Sequence, residues 1–420
     1  MATATVPAAS AVVSPTGSAS AASPTPTERP AISGPDDHDG ERALSYLKAL
    51  ADGVGPRVAG SAAEQQAAGY VAGQLRADGY DVELMRFDYT GDRFRAGSVV
   101  IGSTTYEALA LDGSSGGSVS GEAIFVGLAD AAGIGGRSLN AKIAVADRGA
   151  TTFAEKYDTV KAFGAAGLVI LNNTAGQVNG RARQGGSIPV LSISGEDATA
   201  VRDAAQAGQR FAITAPDSNT TTATNVIARP KAGAECRLLV AGHFDTVAAA
   251  PGANDNASGV ANVLELARAE AVGGPKDGLC FAAWSGEESG LFGSAAFVER
   301  AKATNTLPGL YLNLDVTGIG KGIEIIGDSE AAARALEIAG QEGVTAQRIQ
   351  LPANTGSDHL SFEAAGVPVV YLSSGEFDTI HSPLDVSRDI DAAELDRIGD
   401  LALALIRDRL PQVARGQGHS

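Results

Sequence analysis

The chain has 420 residues and a formal net charge of −17, and that length is enough for two domains with sizeable cores. The acidic balance argues against nucleic acid or an anionic membrane as a partner, and no apolar run approaches the length of a transmembrane helix. The two cysteines, Cys236 and Cys280, form no C-x-x-C motif, which excludes a thiolate zinc site.

The N-terminal segment, residues 1–36, consists mainly of Ala, Ser, Thr and Pro with few large apolar residues. Such a composition buries too little surface to offset the entropy of ordering, so we predict a disordered low-complexity tail. It could instead be the remnant of a secretory leader or a pro-segment, although it lacks a basic n-region and a strong apolar stretch. We expect a secreted or cell-surface protein, with no convincing signal peptide in this sequence.

Two helices and a strand are predicted next. Leucines recur at helical spacing from Glu41 onward. Ser61 is followed three residues later by Glu64, which is typical of a capping box at the start of a second helix. Gly79 marks the end of that helix, and residues 80–89 are predicted to form a strand.

The pattern of apolar residues changes after about residue 97, where short β-rich runs flank one predicted helix. The predicted strands are 123–126, 142–146, 167–171 and 189–193, and the predicted helix is 153–165. This pattern indicates a compact α+β insert over 97–221, not a continuation of a doubly wound sheet.

From about residue 222 the chain alternates between strands and helices. The predicted strands are 237–242, 279–284, 310–315, 323–326 and 367–372, and the predicted helices are 258–271, 290–303, 329–341 and 392–410. The strands are apolar on both faces, which is typical of a mostly parallel, mixed sheet flanked by helices. We therefore predict an α/β domain formed by 37–96 and 222–412 that carries the insert.

Acidic and imidazole side chains lie at or after the ends of these predicted elements. They are His243, Asp255, Glu287, Glu288, Asp315 and His381. One such side chain alone usually serves as a cap or a hydrogen-bond partner. Together they would meet at the carboxyl edge of the sheet, where ligands bind in such folds.

Two imidazoles and three carboxylates suit zinc, and they are too many ligands for a single catalytic zinc. A shared carboxylate would complete two sites about 3.5–4 Å apart. One of the adjacent residues Glu287 and Glu288 would then bind metal, and the other would move protons. Asp245, two residues after His243, could orient that imidazole.

Six segments resemble the bacterial double-zinc aminopeptidases, whose superfamily also contains glutamate carboxypeptidase II, glutaminyl cyclase and the transferrin receptor. The segments are HFD at 243–245, GANDNASG at 252–259, GEESGL at 286–291, NLD at 313–315, SDH at 357–359 and HSPLD at 381–385. The resemblance covers the chain from about Glu41 and agrees in order and spacing.

The resemblance implies two Zn²⁺ ions bridged by Asp255. It implies that His243 and Asp315 complete one site, and that Glu288 and His381 complete the other.

The resemblance also implies a role for Glu287, as the base that takes a proton from the bridging water. Asp245 and Asp385 would support the ligands from behind. Three further residues match a loop near the site and could support the ligands, contact the substrate or simply cap a helix. They are Ser357, Asp358 and His359.

The insert resembles a protease-associated domain through KIAVADRG at 142–149, GAAG at 164–167 and SIPV at 187–190. Such domains usually cover a site or recognise partners, so we expect this one to overhang the metal centre and restrict access to short peptides or free N-termini.

The function implied is that of a zinc-dependent exopeptidase that removes N-terminal amino acids from peptides with a free N-terminus. The alternatives are a carboxypeptidase or glutaminyl cyclase-like enzyme on the same scaffold, or a non-catalytic receptor-like protein. A carboxypeptidase would need arginines near the site, and Arg183 or another residue of the insert could reach it. One departure is Ile380, because several relatives carry an oxyanion-binding Tyr immediately before the last histidine.

Cys236 and Cys280 lie near the starts of two strands that we expect to be neighbours. If the protein is exported we predict a disulfide between them. The alternative is two buried free thiols, and a Cα separation beyond about 7 Å would exclude the bridge.

Overall fold

The computed structural model describes residues 34, 36–90, 95–174, 176–178, 180, 182–183, 186–217, 220–320, 322–351 and 355–413. The predicted tail over 1–36 therefore lies almost entirely outside the described residues. No helix in the described ranges combines the length and apolar character that crossing a bilayer requires.

The described elements alternate along the chain much as predicted. The helices are α1 (Gly40–Ala51), α2 (Ala62–Ala77), α3 (Ala131–Ile134), α4 (Phe153–Ala162), α5 (Ala198–Gln206), α6 (Ser258–Glu270), α7 (Glu287–Gly290), α8 (Phe292–Thr304), α9 (Glu330–Gln341), α10 (His359–Glu363) and α11 (Ala392–Val413). The strands are β1 (Asp81–Thr90), β2 (Arg95–Ile101), β3 (Thr104–Ala110), β4 (Gly117–Phe125), β5 (Ile143–Asp147), β6 (Gly167–Leu171), β7 (Val190–Ile193), β8 (Arg210–Ala215), β9 (Thr220–Arg229), β10 (Leu238–His243), β11 (Leu279–Trp284), β12 (Leu310–Leu314), β13 (Ile323–Ile326), β14 (Ala346–Arg348) and β15 (Val369–Ser373).

The larger sheet has eight strands in the order β1-β9-β11-β10-β12-β15-β13-β14. Its centre is parallel, since β10 pairs in parallel with β11 and β12, and β12 pairs in parallel with β15. β1, β9 and β13 join it antiparallel. The mostly parallel mixed sheet predicted from the sequence is confirmed.

Successive residues of the central strands enter two separate cores. Leu238 and Val240 of β10 pack with α1, α2, α6, α9 and α11 on one face. Leu239 and Ala241 pack with α8 and α10 on the other face. Burial of both faces explains the continuous apolar runs of these strands.

The second part is a closed barrel with the strand order β2-β3-β7-β6-β5-β4-β8. Its apolar side chains fall into two clusters, of which one packs with α5 and the other with α4. The predicted strands that became β4 to β7 and the predicted helix that became α4 are present.

Several elements were missed in the sequence: β2, β3, β8, β9, β14 and α5. β2 and β3 mix exposed and buried residues irregularly, and β9 begins with exposed threonines, so these three strands show no clear period. β8 does alternate between buried and more exposed residues, a strand signal that was overlooked. β9 nevertheless brings the chain from the barrel back into the large sheet, between β1 and β11.

The predicted capping box at α2 is half correct. Ser61 caps the helix, and its side chain accepts a hydrogen bond from the Glu64 N–H at 3.1 Å. The Glu64 carboxylate instead accepts a hydrogen bond from the N–H of Thr224 at 2.8 Å, which connects α2 to β9. Burial raises the pKa of Glu64 to about 7 despite that hydrogen bond.

Cys236 and Cys280 form a disulfide, with a Cα–Cα distance of 5.3 Å. Cys236 precedes β10, and Cys280 lies in the neighbouring strand β11 opposite Leu239. The predicted bridge is therefore present, and the alternative of two free thiols is excluded.

Candidate active site

The five predicted metal ligands form two groups that share one carboxylate. The first group is His243, Asp255 and Asp315, and the second is Asp255, Glu288 and His381. Within each group the potential ligand atoms lie within 4.8 Å of one another. We predicted that separate elements would bring these side chains together, and the structure brings them together.

The shared residue, Asp255, presents a different oxygen to each group. Its Oδ1 lies 3.2 Å from Nε2 of His243, and its Oδ2 lies 3.0 Å from Nε2 of His381. The same imidazole nitrogens lie 3.4 Å from Asp315 Oδ1 and 3.1 Å from Glu288 Oε2. A carboxylate in this position can bridge two cations.

The five side chains meet at the carboxyl edge of the sheet. His243 ends β10, Asp315 follows β12, and Glu288 is the second residue of α7, which begins three residues after the end of β11. Asp255 lies in the turn over Ala253–Ala257 that precedes α6, and its own backbone there is not helical, with φ −114° and ψ 92°. His381 lies in the loop after β15 with a positive φ of 58°.

A strained residue follows Asp315. Val316 has a φ of +54°, which is unfavourable for a β-branched residue and costs of the order of 1–3 kcal/mol. Its N–H donates to Asn256 Oδ1 at 3.3 Å. Its carbonyl accepts from Ser373 Oγ and from both the N–H and Oγ of Ser374. These contacts hold the turn that directs Asp315 toward the other ligands.

The two groups are strongly charged. Burial alone would lower the pKa of both histidines. Attraction to Asp315 and hydrogen bonds with neighbouring carboxylates nevertheless raise the pKa of His243. Hydrogen bonds with Asp255 and Glu288, together with their charges, raise the pKa of His381 to about 11. Burial and the charge of Asp255 together raise the pKa of Glu288 to about 7. The carboxylates therefore need nearby positive charge, which protons or metal ions can supply.

The donor set fits zinc. Glu288 Oε1 is buried and has no hydrogen-bond partner within the described part of the chain, and the long 3.4 Å contact with His243 leaves Asp315 Oδ1 weakly satisfied. Unpaired buried acceptors are costly, and a bound cation would satisfy them. Imidazole nitrogens combined with carboxylate oxygens are ligands that zinc accepts.

Glu287 belongs to neither ligand group, although it lines the same cavity. Asp245 fixes the backbone here: its Oδ1 accepts the N–H of Glu287 at 3.2 Å, and its Oδ2 accepts the N–H of Glu288 at 3.3 Å. Asp245 also contacts His243, as predicted. Nδ1 of the imidazole lies 3.2 Å from the Asp245 backbone carbonyl oxygen and 3.5 Å from its carboxylate Oδ1. Asp245 therefore positions both glutamates as well as the imidazole.

Asp385 performs the corresponding task for the loop of Asp255. Its Oδ1 accepts the N–H of Asn254 at 2.6 Å, and its Oδ2 accepts the N–H of Asp255 at 3.0 Å. Burial raises the pKa of Asp385 to about 6, and these two hydrogen bonds oppose the shift.

Ser357, Asp358 and His359 are buried and are not among the residues that line the cavity. Ser357 accepts a hydrogen bond from Asn313 Nδ2 at 2.9 Å, and the His359 ring packs 5.0 Å from that of Tyr371. Asp358 makes no side-chain cap at α10, so the helix-capping alternative fails for it. Ser357 and His359 therefore contact residues next to the site and do not face the cavity themselves.

Arg57 was missed in the sequence and is fully buried below the site. Its guanidinium donates to the carbonyls of Phe244 at 2.7 Å, Pro251 at 2.7 Å and Gly252 at 2.8 Å, which lie in the loops after His243 and before Asp255. Burial lowers its pKa to about 10, against the attraction of nearby carboxylates. No sequence spacing relates an arginine after α1 to these strand ends.

A cavity of about 800 Å³ lies over the ligands, and the barrel contributes one of its walls. The barrel residues that line it are Asp112, Arg148, Thr152, Phe153, Gln177, Val178 and Gly180. The insert therefore overhangs the site, as expected from its resemblance.

Ile380 lines this cavity but offers no hydrogen-bond donor from its side chain. Tyr371 also lines it from β15, and burial raises the pKa of its hydroxyl well above the usual value, so the hydroxyl stays protonated. Apolar side chains complete the lining: Leu291, Val316, Leu351, Leu360 and Phe377.

The chain is similar to known proteins over most of its length. Residues 225–406 match the sequence profile of peptidase family M28, and residues 97–201 match that of the PA domain. Residues 225–406 are thus similar to peptidase family M28, and the barrel that resembles a PA domain is inserted between β1 and β9 of the large sheet. The resemblance found in the sequence is confirmed.

Two relatives illustrate how much of the chain is shared. The probable lipoprotein aminopeptidase LpqL of Mycobacterium tuberculosis is 33% identical over 65% of this chain, which spans only 57% of LpqL. Aminopeptidase YwaD of Bacillus subtilis is 29% identical over 87% of this chain and 84% of its own length.

The solved structures point in the same direction. The aminopeptidase from Aneurinibacillus sp. strain AM-1 superposes with a TM-score of 0.74 at 28% identity, over 88% of this chain and 94% of that one. BSAP, a zinc aminopeptidase from Bacillus subtilis, gives a TM-score of 0.70 at 26% identity, over 88% and 95%.

Proposed function

We propose that this protein is a zinc-dependent aminopeptidase that removes single residues from the N-terminus of peptides by hydrolysis with two zinc ions. The observation that carries the proposal is the position of the Asp255 carboxylate between the two groups. One of its oxygens faces His243 and the other faces His381. The names of the most similar proteins support the same activity.

In this proposal Asp255 bridges the two metal sites. His243 and Asp315 would complete the first site, and Glu288 and His381 would complete the second. Each site would then have three protein ligands, which is the usual number for catalytic zinc and leaves room for water and substrate.

Glu287 is the proposed general base. When bound, zinc supplies polarisation of the scissile carbonyl and a lower pKa for a coordinated water. The Glu287 carboxylate would accept a proton from the attacking water and donate it to the leaving amine. Asp245 would keep Glu287 in place through the backbone N–H that it accepts.

Acidic side chains at the floor of the cavity favour an aminopeptidase over a carboxypeptidase, because they attract the α-ammonium group of a peptide. The decisive assay uses zinc-loaded protein with aminoacyl-nitroanilides, peptides with free N-termini and the same peptides N-acetylated. We expect hydrolysis of the free amines only. Release of C-terminal residues from the acetylated peptides would instead indicate a carboxypeptidase, and cyclisation of N-terminal glutamine would indicate a cyclase.

We also propose that the protein works outside the cytoplasm, because the disulfide between Cys236 and Cys280 persists in oxidising compartments. In protein taken from its native location, thiol labelling should find both cysteines oxidised. The double variant Cys236→Ala/Cys280→Ala should lose about 2–5 kcal/mol of unfolding free energy in denaturant titrations. Reduced cysteines in the native protein, or unchanged stability of the variant, would contradict this proposal.

A further inference from the structure

Arg148 places a positive charge on the barrel wall of the cavity. It follows β5, and its N–H donates to the carbonyl of Leu171 at the end of β6 at 2.9 Å. Its Nη1 donates to Asn172 Oδ1 at 2.9 Å. Asn172 is buried, and its amide donates to the Gly176 carbonyl at 2.9 Å. The guanidinium is therefore attached to a fixed amide and not to a mobile surface group.

The charge of Arg148 is isolated on this surface. Among the described residues that line the cavity, Arg148 is the only lysine or arginine. Asp112 also lines the cavity from the barrel, but this residue is buried and has an interaction of its own. The ion pairs recorded for the described residues include none with Arg148, although a guanidinium has five N–H donors.

The carboxylates of the proposed metal centre line the same cavity. They are Asp255, Glu287, Glu288 and Asp315. The cavity therefore combines the carboxylates of the proposed metal centre with a single guanidinium, which the inserted barrel contributes together with Asp112. A short peptide in its zwitterionic form carries the complementary charges, with an ammonium group at one end and a carboxylate at the other.

We propose that Arg148 binds the C-terminal carboxylate of a short peptide whose N-terminus lies at the metal centre. This inference rests on the proposed aminopeptidase function and adds the substrate class: short free peptides in preference to the N-termini of long chains. Arginine suits the task because its planar guanidinium forms paired hydrogen bonds with a carboxylate. The cavity volume of about 800 Å³ lies in the range of pockets that enclose small ligands.

The test compares Leu-Gly-Gly with Leu-Gly-Gly-amide, which differ only in the terminal charge, and uses leucine nitroanilide as a substrate with no carboxylate. The variants are Arg148→Gln and Arg148→Lys. The matched control is Arg183→Gln, on the same barrel, because Arg183 is exposed, pairs with Asp158 at 3.4 Å and is not among the lining residues.

The wild type should favour the free acid over the amide by about 10- to 100-fold in kcat/KM, the value of a hydrogen bond to a charged group. Arg148→Gln should remove that preference, mainly by raising KM for the acid. Arg148→Lys should restore part of it. Leucine nitroanilide should be hydrolysed equally by all variants, and Arg183→Gln should behave as the wild type.

Equal rates for acid and amide in the wild type would overturn the inference without using any variant. A preference that persists in Arg148→Gln would also overturn it. Both outcomes leave nitroanilide hydrolysis intact, so they differ from failure of the proposed function, in which the zinc-loaded wild type hydrolyses none of the three substrates.

Discussion

Replacing Glu287 with Gln should lower kcat by about 10²–10⁴, the usual contribution of a general base, while the metal content stays unchanged. The amide keeps the shape of the side chain but cannot accept a proton from water. Glu287 lines the cavity without belonging to either ligand group, so its loss should leave both groups complete. Its backbone contact with Asp245 does not involve the side chain and should persist.

Glu288→Gln is the matched comparison, because it changes the neighbouring residue in the same way. Glu288 Oε2 lies 3.1 Å from Nε2 of His381, and its Oε1 is buried without a hydrogen-bond partner among the described residues. A neutral amide is a poor zinc ligand, so this variant should lose zinc from the second group. Turnover and zinc content should be measured on the same samples.

Two results would contradict these roles. Near-normal turnover of Glu287→Gln at full zinc occupancy would exclude Glu287 as the base. Zinc loss from Glu287→Gln, with full occupancy in Glu288→Gln, would mean that the roles of the two glutamates are reversed.

Asp255→Asn should have the largest effect on metal binding, because Asp255 is the residue that both ligand groups share. We expect two zinc ions per chain in the wild type and loss of zinc from both groups in the variant, with activity abolished. Chelation of the wild type should have the same effect on activity, and added zinc should restore it. Elemental analysis alongside nitroanilide hydrolysis measures both quantities.

Asp358→Asn is a suitable control for this variant. Asp358 is equally buried and lies near the site, but it belongs to neither ligand group. Burial raises its pKa to about 7, so a neutral amide resembles a form that it already populates near neutral pH. The Asp358→Asn variant should keep both zinc ions. Fully active wild-type protein with one zinc ion or none would contradict the two-metal proposal.

The sequence predicted the ligand set because each of those residues lies beside an element with a strong local signal. The apolar runs that became β10, β11 and β12 are unmistakable, and the carboxyl ends of parallel strands share an edge. The barrel was harder to predict. Its strands β2 and β3 mix exposed with buried residues irregularly, so only their pairing in the closed barrel shows that they are strands.

The error at Glu64 has a similar cause. The spacing from Ser61 predicts that the carboxylate returns to the start of its own helix, and the Ser61 cap itself is present. The Thr224 N–H, which is distant in sequence, receives the carboxylate instead. A local rule cannot include a competing partner that only β9 brings into contact.

By itself, the sequence determined the mixed α/β sheet and the presence of an α+β insert, because these follow from local periodicity. Motifs at strand ends indicated the candidate ligands, and their family resemblance implied how these divide into two groups. Only the tertiary structure decided that the oxygens of Asp255 face different histidines and that Arg57 lies beneath both loops. It also decided that Arg148 shares a cavity with the metal centre. The physical reason is that such contacts join residues far apart in the chain, and their geometry depends on how the packed elements meet.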